Sequence, residues 1–208
     1  MSVTQDDIVA VGGDLDVATL VAAYRHGVFP WPVERLPLLW FSPRERAVLD
    51  FVELHVGRSL ARARRRSGLR FTIDAAFASV IDGCASVPRP GQESTWITPA
   101  MRAAYVALHR AGVAHSVEAW RDDQLVAGVY GVDVDGAFAA ESMFHRETDA
   151  SKLVLLRLIE HLAARGLDWL DVQVMTPHLQ RLGAQPILRR AFLHRLARTR
   201  ARGLRLFP

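Results

Sequence analysis

The chain of 208 residues contains one cysteine, Cys84, and one lysine, Lys152. A single cysteine excludes an intramolecular disulfide and a CxxC-type metal site, and it suits a reducing cytoplasm. No run of about 18 apolar residues is free of charge; the most apolar candidate helix, 152–164, is broken by Arg157, Glu160 and His161. A membrane-spanning helix is therefore not expected. The opening MSVTQDDIVAV lacks a basic region followed by an apolar one, so no signal peptide is expected either. The phosphate-binding pattern GxGxxG is absent, and the Gly12–Gly13 pair follows no evident strand. His115, His145, His161 and His178 show no HExxH or comparable spacing, so no metal site is expected. No internal repeat or low-complexity tract occurs.

Because lysine is nearly missing, 25 of the 26 basic residues are arginine. GC-rich codon usage alone gives such a bias, so placement carries more information than number. In the segment HVGRSLARARRRSGLRF, Arg58, Arg62 and Arg66 fall at i, i+4 and i+8, with Arg65 three beyond Arg62. One helix face would be nearly all guanidinium, and no acid lies between Glu53 and Asp74. The stripe is either a solvated face or a surface for phosphate backbone, and the lack of compensation favours the second.

Half of the residues are hydrophobic, enough for a substantial core. The first segment opens with a glycine turn, offers Asp16 as an N-cap and carries an apolar stripe through Leu20, Val21, Ala23 and Tyr24 before Gly27. Phe29, Trp31, Leu39, Trp40 and Phe41 then crowd among four prolines. These aromatics form either interface core or a platform on which a base stacks. The arginine stripe marks a domain boundary, dividing a small N-terminal domain, 1–57, from a larger one, 58–208.

Beyond the stripe the pattern alternates. Residues 71–85 read as a strand and then a helix capped by Asp74; Thr98-Pro99 opens a helix that Gly112 closes. Three strands follow, joined by the turns Asp122-Asp123 and Asp135-Gly136, as an antiparallel meander. A helix at about 150–165 and the strand LDWLDVQV come next, and the tail is a basic helix or arm. The fold class is α/β (α+β), a mixed sheet with helices on both sides.

The most informative stretch is AFAAESMFHRETDASKLVLLRLIEHLAARGLDWLDVQV, 137–174. Glu141 interrupts apolar neighbours in one strand and needs a partner at the edge of the core. Asp171 and Gln173 lie two apart in another strand, which would place both on one sheet face. Asp171 has a structural alternative, a hydrogen bond to Trp120 or Trp169.

Taken in order, GGDL (12–15), AYRHGVFPW (23–31), LLWFSP (38–43), TWIT (95–98), ESMF (141–144), ASK (150–152), DVQV (171–174), HL (178–179) and LGA (182–184) resemble the bacterial leucyl/phenylalanyl-tRNA–protein transferases over nearly the whole chain. Phe41, Ala140, Asp149, Thr176 and Arg181 depart from the usual residues of that family. The resemblance implies a small N-terminal domain beside a GCN5-type acyltransferase-like domain. It also implies transfer of Leu or Phe, with Met a further possibility, from aminoacyl-tRNA to the N-terminal Arg or Lys of acceptor proteins, marking them for degradation, without cofactor or metal. By the same resemblance Glu141, Asp171 and Gln173 are catalytic, and Phe138, Met143, Leu155 and Leu158 line the aminoacyl side-chain pocket. Trp31 and Trp96 would hold the 3′-terminal adenosine, and Arg65, Arg66 and Arg70 the tRNA body.

The chemistry is aminolysis of an ester. An N-terminal amine with a pKa of about 7.7–8 already supplies neutral nucleophile, so orientation and proton removal remain. Gln173 is too weak a base and is expected to orient the amine, with Asp171 polarising or positioning it. Glu141 is expected to hold the donor's amino group. An acyl-CoA N-acetyltransferase is the enzymatic rival, but the loop HRETDAS lacks the glycine that a pyrophosphate-binding helix start needs. A non-catalytic RNA-binding module would explain the arginines and tryptophans but not Glu141, Asp171 and Gln173.

Overall fold

A computed structural model describes residues 5–33, 35–86 and 95–207. Residues 1–4, 34, 87–94 and 208 lie outside that range.

The proline- and aromatic-rich segment folds as a small antiparallel sheet. Its strands are β1 (Ile8–Val11), β2 (Phe29–Trp31) and β3 (Leu39–Phe41), in the order β1-β3-β2. Helix α1 (Val17–Arg25) packs against β2. Asp16 caps α1 as expected, its carboxylate accepting the Thr19 N–H at 2.9 Å, and Gly27 follows the helix at φ 71°.

The larger unit contains β4 (Glu45–Asp50), α2 (Arg58–Arg66), β5 (Arg70–Ile73), α3 (Phe77–Ser86), α4 (Pro99–Arg110), β6 (Ala114–Arg121), β7 (Gln124–Val134), β8 (Ala137–His145), α5 (Ala150–Ala163), β9 (Trp169–Gln173), α6 (Pro177–Arg181), β10 (Gln185–Leu188) and α7 (Arg189–Arg200). Its seven strands run β10-β4-β9-β8-β7-β6-β5, and β8–β9 is the parallel pair. The meander β6-β7-β8 forms as the sequence implies. Asp135 and Gly136 both take positive φ, the two-residue turn that matches the twist of a hairpin.

One apolar cluster lies under α5 and α7 and includes Val117, Val129, Phe138, Leu155, Leu158, Trp169 and Phe192. The other lies under α1, α3 and α4 and joins Leu20, Phe29, Trp40 and Phe41 of the small sheet to Phe77, Met101, Tyr105, Tyr130 and Phe144 of the large one. The aromatics of the N-terminal segment are thus mainly interface core. The two units share this core.

Two expectations are revised. A boundary near residue 57 would cut β4 out of the large sheet, where it is the second strand and pairs with both β9 and β10. We place the division instead at the turn 42–44, where Asp7 accepts the Ser42 and Arg44 N–H groups, each at 2.8 Å. Asp74 does not cap α3. Its carboxylate takes His115 at 2.7 Å and the Ser116 N–H at 2.8 Å, while Glu118 receives the Ala75 and Ala76 N–H groups leading into the helix. The basic tail takes the helical alternative, as α7, and is held by ion pairs: Arg189, Arg195, Arg200 and Arg202 pair with Asp7, Asp50, Asp135 and Asp168 respectively.

Candidate active site

Glu141 sits at an irregularity of β8. Tyr130 is registered opposite Ser142 and Gly131 opposite Ala140, so Glu141 is the extra residue of a β-bulge. A bulge turns one side chain away from the regular alternation. Gly131 permits it, because a Cβ there would lie 2.3 Å from the Ala139 carbonyl oxygen and 2.5 Å from the Phe138 ring. The bulged carboxylate is received by two helices and a strand end. Its Oε1 accepts the Gln173 side-chain amide at 2.5 Å, and its Oε2 accepts the Tyr105 hydroxyl at 3.1 Å. The Tyr24 hydroxyl lies 2.5 Å from that of Tyr105 and also bonds Glu141.

Burial, the dominant cause, lifts the Glu141 pKa to about 7, and the charge of Asp171 adds to the rise. The two tyrosine hydroxyls and Arg46 pull it back down. Tyr24 and Tyr105 are themselves held well above the usual phenol range, first by burial and then by the Glu141 charge. They therefore remain neutral donors. The carboxyl group changes ionisation near neutral pH.

Gln173 ends β9 in an unusual way. Its φ is 59°, and the Val174 N–H bonds the Val172 carbonyl at 2.7 Å, the i to i+2 pattern of a classic γ-turn. A non-glycine residue in the left-handed region is strained and has to be held. What holds it is Asp171, whose Oδ1 accepts the Gln173 main-chain N–H at 3.0 Å. Asp171 and Gln173, expected on one sheet face, take different partners. The turn sends Gln173 to Glu141, while both oxygens of Asp171 go to Arg46, at 2.8 and 2.7 Å. The alternative partners of Asp171, Trp120 and Trp169, are not used: their indole N–H groups bond Thr72 and Thr199. The Gln173 amide oxygen has no partner among the described residues.

Tyr24, Tyr105 and Arg46 are not among the candidate site residues that the sequence singles out. Tyr24 falls in an apolar stripe and in the run AYRHGVFPW, neither of which assigns it a role; the useful signal is that a buried tyrosine needs a partner for its hydroxyl. Arg46 is 1% exposed and leads into the run Ala47-Val48-Leu49, which reads as ordinary strand.

Of the expected side-chain pocket, Phe138, Leu155 and Leu158 are buried in one apolar layer, and the half-buried Met143 packs against it. Trp31 and Trp96 do meet, but they stack on each other, with ring centroids 5.5 Å apart and planes 17° apart. That spacing leaves no gap for a third ring between them. Arg65, Arg66 and Arg70 are exposed, together with Arg58 and Arg62. The stripe is less uncompensated than the local sequence implies, since Arg64 pairs with Glu160 of α5. Arg58, Arg62, Arg65 and Arg66 have no ion-pair partner among the described residues, and the Arg70 guanidinium lies 5.3 Å from the centre of the Trp120 ring. No group of His, Cys, Asp and Glu able to hold a metal occurs among the described residues.

Residues 48–197 match the family described as leucyl/phenylalanyl-tRNA protein transferase, and residues 13–44 match that family's N-terminal domain. The chain belongs to this family. Curated transferases of the same name include one from Chromohalobacter salexigens, 53% identical over 90% of this chain and 73% of its own length. Another, from Anaeromyxobacter sp. (strain K), is 52% identical over 93% of this chain and 83% of its own. Among solved structures, a GCN5-related N-acetyltransferase from Kribbella flavida covers 78% of this chain and 58% of its own, with a TM-score of 0.40 and 16% identity. The two family matches leave only residues 45–47 between them, close to the 42–44 turn. As a member of the transferase family the protein is an enzyme, and Glu141, Asp171 and Gln173 all lie in the part matched to the larger family domain.

Proposed function

We propose that this protein transfers Leu or Phe from aminoacyl-tRNA to the N-terminal Arg or Lys of acceptor proteins in the cytoplasm, marking them for degradation. The observation that carries the reading is the pairing of Gln173 with Glu141, a carboxyl group poised at about 7, in a chain half identical to curated transferases. Consistent with a site away from membranes, no helix among the described residues is long and apolar enough to cross one.

The neutral acceptor amine attacks the ester carbonyl, a C–N bond forms, the ester C–O bond breaks, and the proton lost by the amine ends on the released ribose hydroxyl or on water. Gln173 commits its amide N–H to Glu141, so its amide oxygen remains to accept an N–H of the incoming amine and aim its lone pair. Ionised Glu141 grips the amino group of the aminoacyl moiety, fixing the ester carbonyl, a contact of about 1.5–3 kcal/mol. Asp171 acts one step back, holding the turn that presents Gln173. Phe138, Met143, Leu155 and Leu158 supply the apolar wall against which Leu or Phe is selected. The stacked pair Trp31–Trp96 receives the terminal adenine on an outer face, or parts to admit it. Arg65, Arg66 and Arg70 attract the tRNA backbone.

The test is incubation of the protein with phenylalanyl-tRNA and an Arg-initiated peptide, followed by mass spectrometry. Addition of one Phe to the N-terminus is expected. No addition, or acetylation from acetyl-CoA in its place, would sink the reading.

A further inference from the structure

Arg46 is buried to 1% exposure, yet it makes more polar and ring contacts than the packing of β4 requires. Its Nε and Nη2 donate to the two oxygens of Asp171, and its Nη1 donates to the Gly27 carbonyl at 3.3 Å. Phe29 and Phe192 flank the guanidinium, each ring centre 4.6 Å away. A buried ion pair is a poor way merely to fill a core, because well-packed apolar residues of similar volume are often as stable or more so. The contacts of Arg46 have a direction instead. Asp171 holds the Gln173 main-chain N–H, and the turn that follows sends the Gln173 side chain to Glu141. On the other side, Gly27 closes the helix that carries Tyr24, and Phe29 begins the strand that carries Trp31.

We propose that Arg46 is a positioning residue for aminoacyl transfer: one planar fork holds Asp171, through it the Gln173 turn, and at the same time registers the Tyr24–Trp31 segment against that turn. The inference rests on the transferase reading. Arginine is required because lysine offers a single point charge, with neither the bidentate geometry nor the flat face that the two phenylalanines enclose. The same cation also lies close enough to Glu141 to lower its pKa, while Asp171 raises it.

The experiment compares Arg46→Lys and Arg46→Met with wild type in phenylalanyl transfer to an Arg-initiated peptide between about pH 6 and 9, with crystal structures of both variants. For both, kcat is expected to fall by about 10²-fold, the scale of a 1 Å misplacement of a reacting group. Well above pH 7, where Glu141 is ionised, KM for the charged tRNA should change little. In Arg46→Met the acidic limb of the kcat/KM profile for the charged tRNA should move to higher pH, since Glu141 loses a neighbouring cation while Asp171 remains. In Arg46→Lys the charge stays, so the limb should stay while kcat falls, and Gln173 should leave its left-handed turn. Should Arg46→Met fail to fold, Arg46→Lys carries the test through the split between kcat and KM and through the turn. Wild-type kcat in the variants overturns the proposal. So does a loss that only tracks the folded fraction, with the limb unmoved and the turn intact. An inactive wild type sinks the transferase reading itself; an active wild type with unaffected variants sinks only the role of Arg46.

Discussion

Glu141 keeps its proton to about pH 7, where an unperturbed glutamate has lost it near 4.5. A group whose folded-state pKa lies above its unfolded value favours folding while protonated, and that contribution is lost as pH rises through the folded value. Glu141→Gln removes the ionisation and keeps the shape. The variant should therefore melt at the same temperature as wild type or slightly lower at pH 5, and above it at pH 8. Thermal melts at the two pH values check this; a melting-point difference that does not grow with pH would remove Glu141 from the pH dependence of stability. The same variant should raise KM for charged tRNA, so stability is gained as activity is lost. For Gln173→Ala, transfer should slow by roughly 10²-fold, the usual scale for one aligned polar group, with the pH profile unchanged in shape. Measurement of kcat from pH 6 to 9 decides it, and a near-wild-type rate would mean that Gln173 does not orient the amine. At this scale the sequence was only partly legible. Glu141 and Gln173 stood out because polar residues in apolar strands require partners. Arg46, Tyr24 and Tyr105 did not, because their partners lie up to 125 residues away, and local pattern carries no record of such pairings.

The bulge in β8 and the turn after β9 are single-residue departures from regular strand, and they create the site. Alternation along DVQV puts Asp171 and Gln173 on one face, but it does not anticipate the left-handed φ at which Gln173 ends the strand, nor the different partners of the two side chains. The bulge has a testable support. Gly131→Ala would press a methyl group against the Ala139 carbonyl and the Phe138 ring, and a main-chain oxygen cannot swing aside as a side chain can. A loss of about 1–3 kcal/mol in denaturant unfolding is expected, together with slower transfer. Gly57→Ala is the control, since nothing lies within 4 Å of a Cβ there and no unusual φ is needed; as the N-cap of α2 it should lose only the smaller preference of that position for Gly over Ala. Equal stabilities of the two variants would show that the bulge tolerates a side chain. Helix α2 was read more securely, because a run of arginines on an exposed helix needs no tertiary knowledge. Replacing Arg65 and Arg66 together by Ala should weaken use of charged tRNA and flatten its salt dependence, while an aminoacyl-adenosine donor is used almost as before. Equal losses with both donors would dissociate this face from the tRNA body.

At the scale of the whole molecule the two units share a core: Leu20, Phe29, Trp40 and Phe41 of the first lie in one cluster with Phe77, Met101 and Phe144 of the second. A chain beginning at residue 45 would uncover that cluster. It should show no single cooperative melt and should bind a hydrophobic dye; a cooperative melt near that of the full chain would show the larger unit to be self-sufficient. The fold class was accessible from the alternation of strands and helices, and the meander from its turn residues. The position of β4 was not, since nothing local to ERAVLD reveals that it lies between two strands from the far end of the chain.

That arrangement also sets a timetable for the nascent chain. β4 ends at residue 50, but its partners β9 and β10 begin at residues 169 and 185. At roughly 5–20 residues per second, the ribosome delivers the first of these partners on the order of ten seconds after β4 has been made. Throughout that interval an apolar strand waits with both edges unpaired, while the β6-β7-β8 hairpins, built from neighbours in sequence, are free to close. A strand that ends up flanked on both sides, next to the β10 edge of the finished sheet, is thus among the first to be synthesised and among the last to be used, and it stays open to mispairing for longer than the strands of the meander.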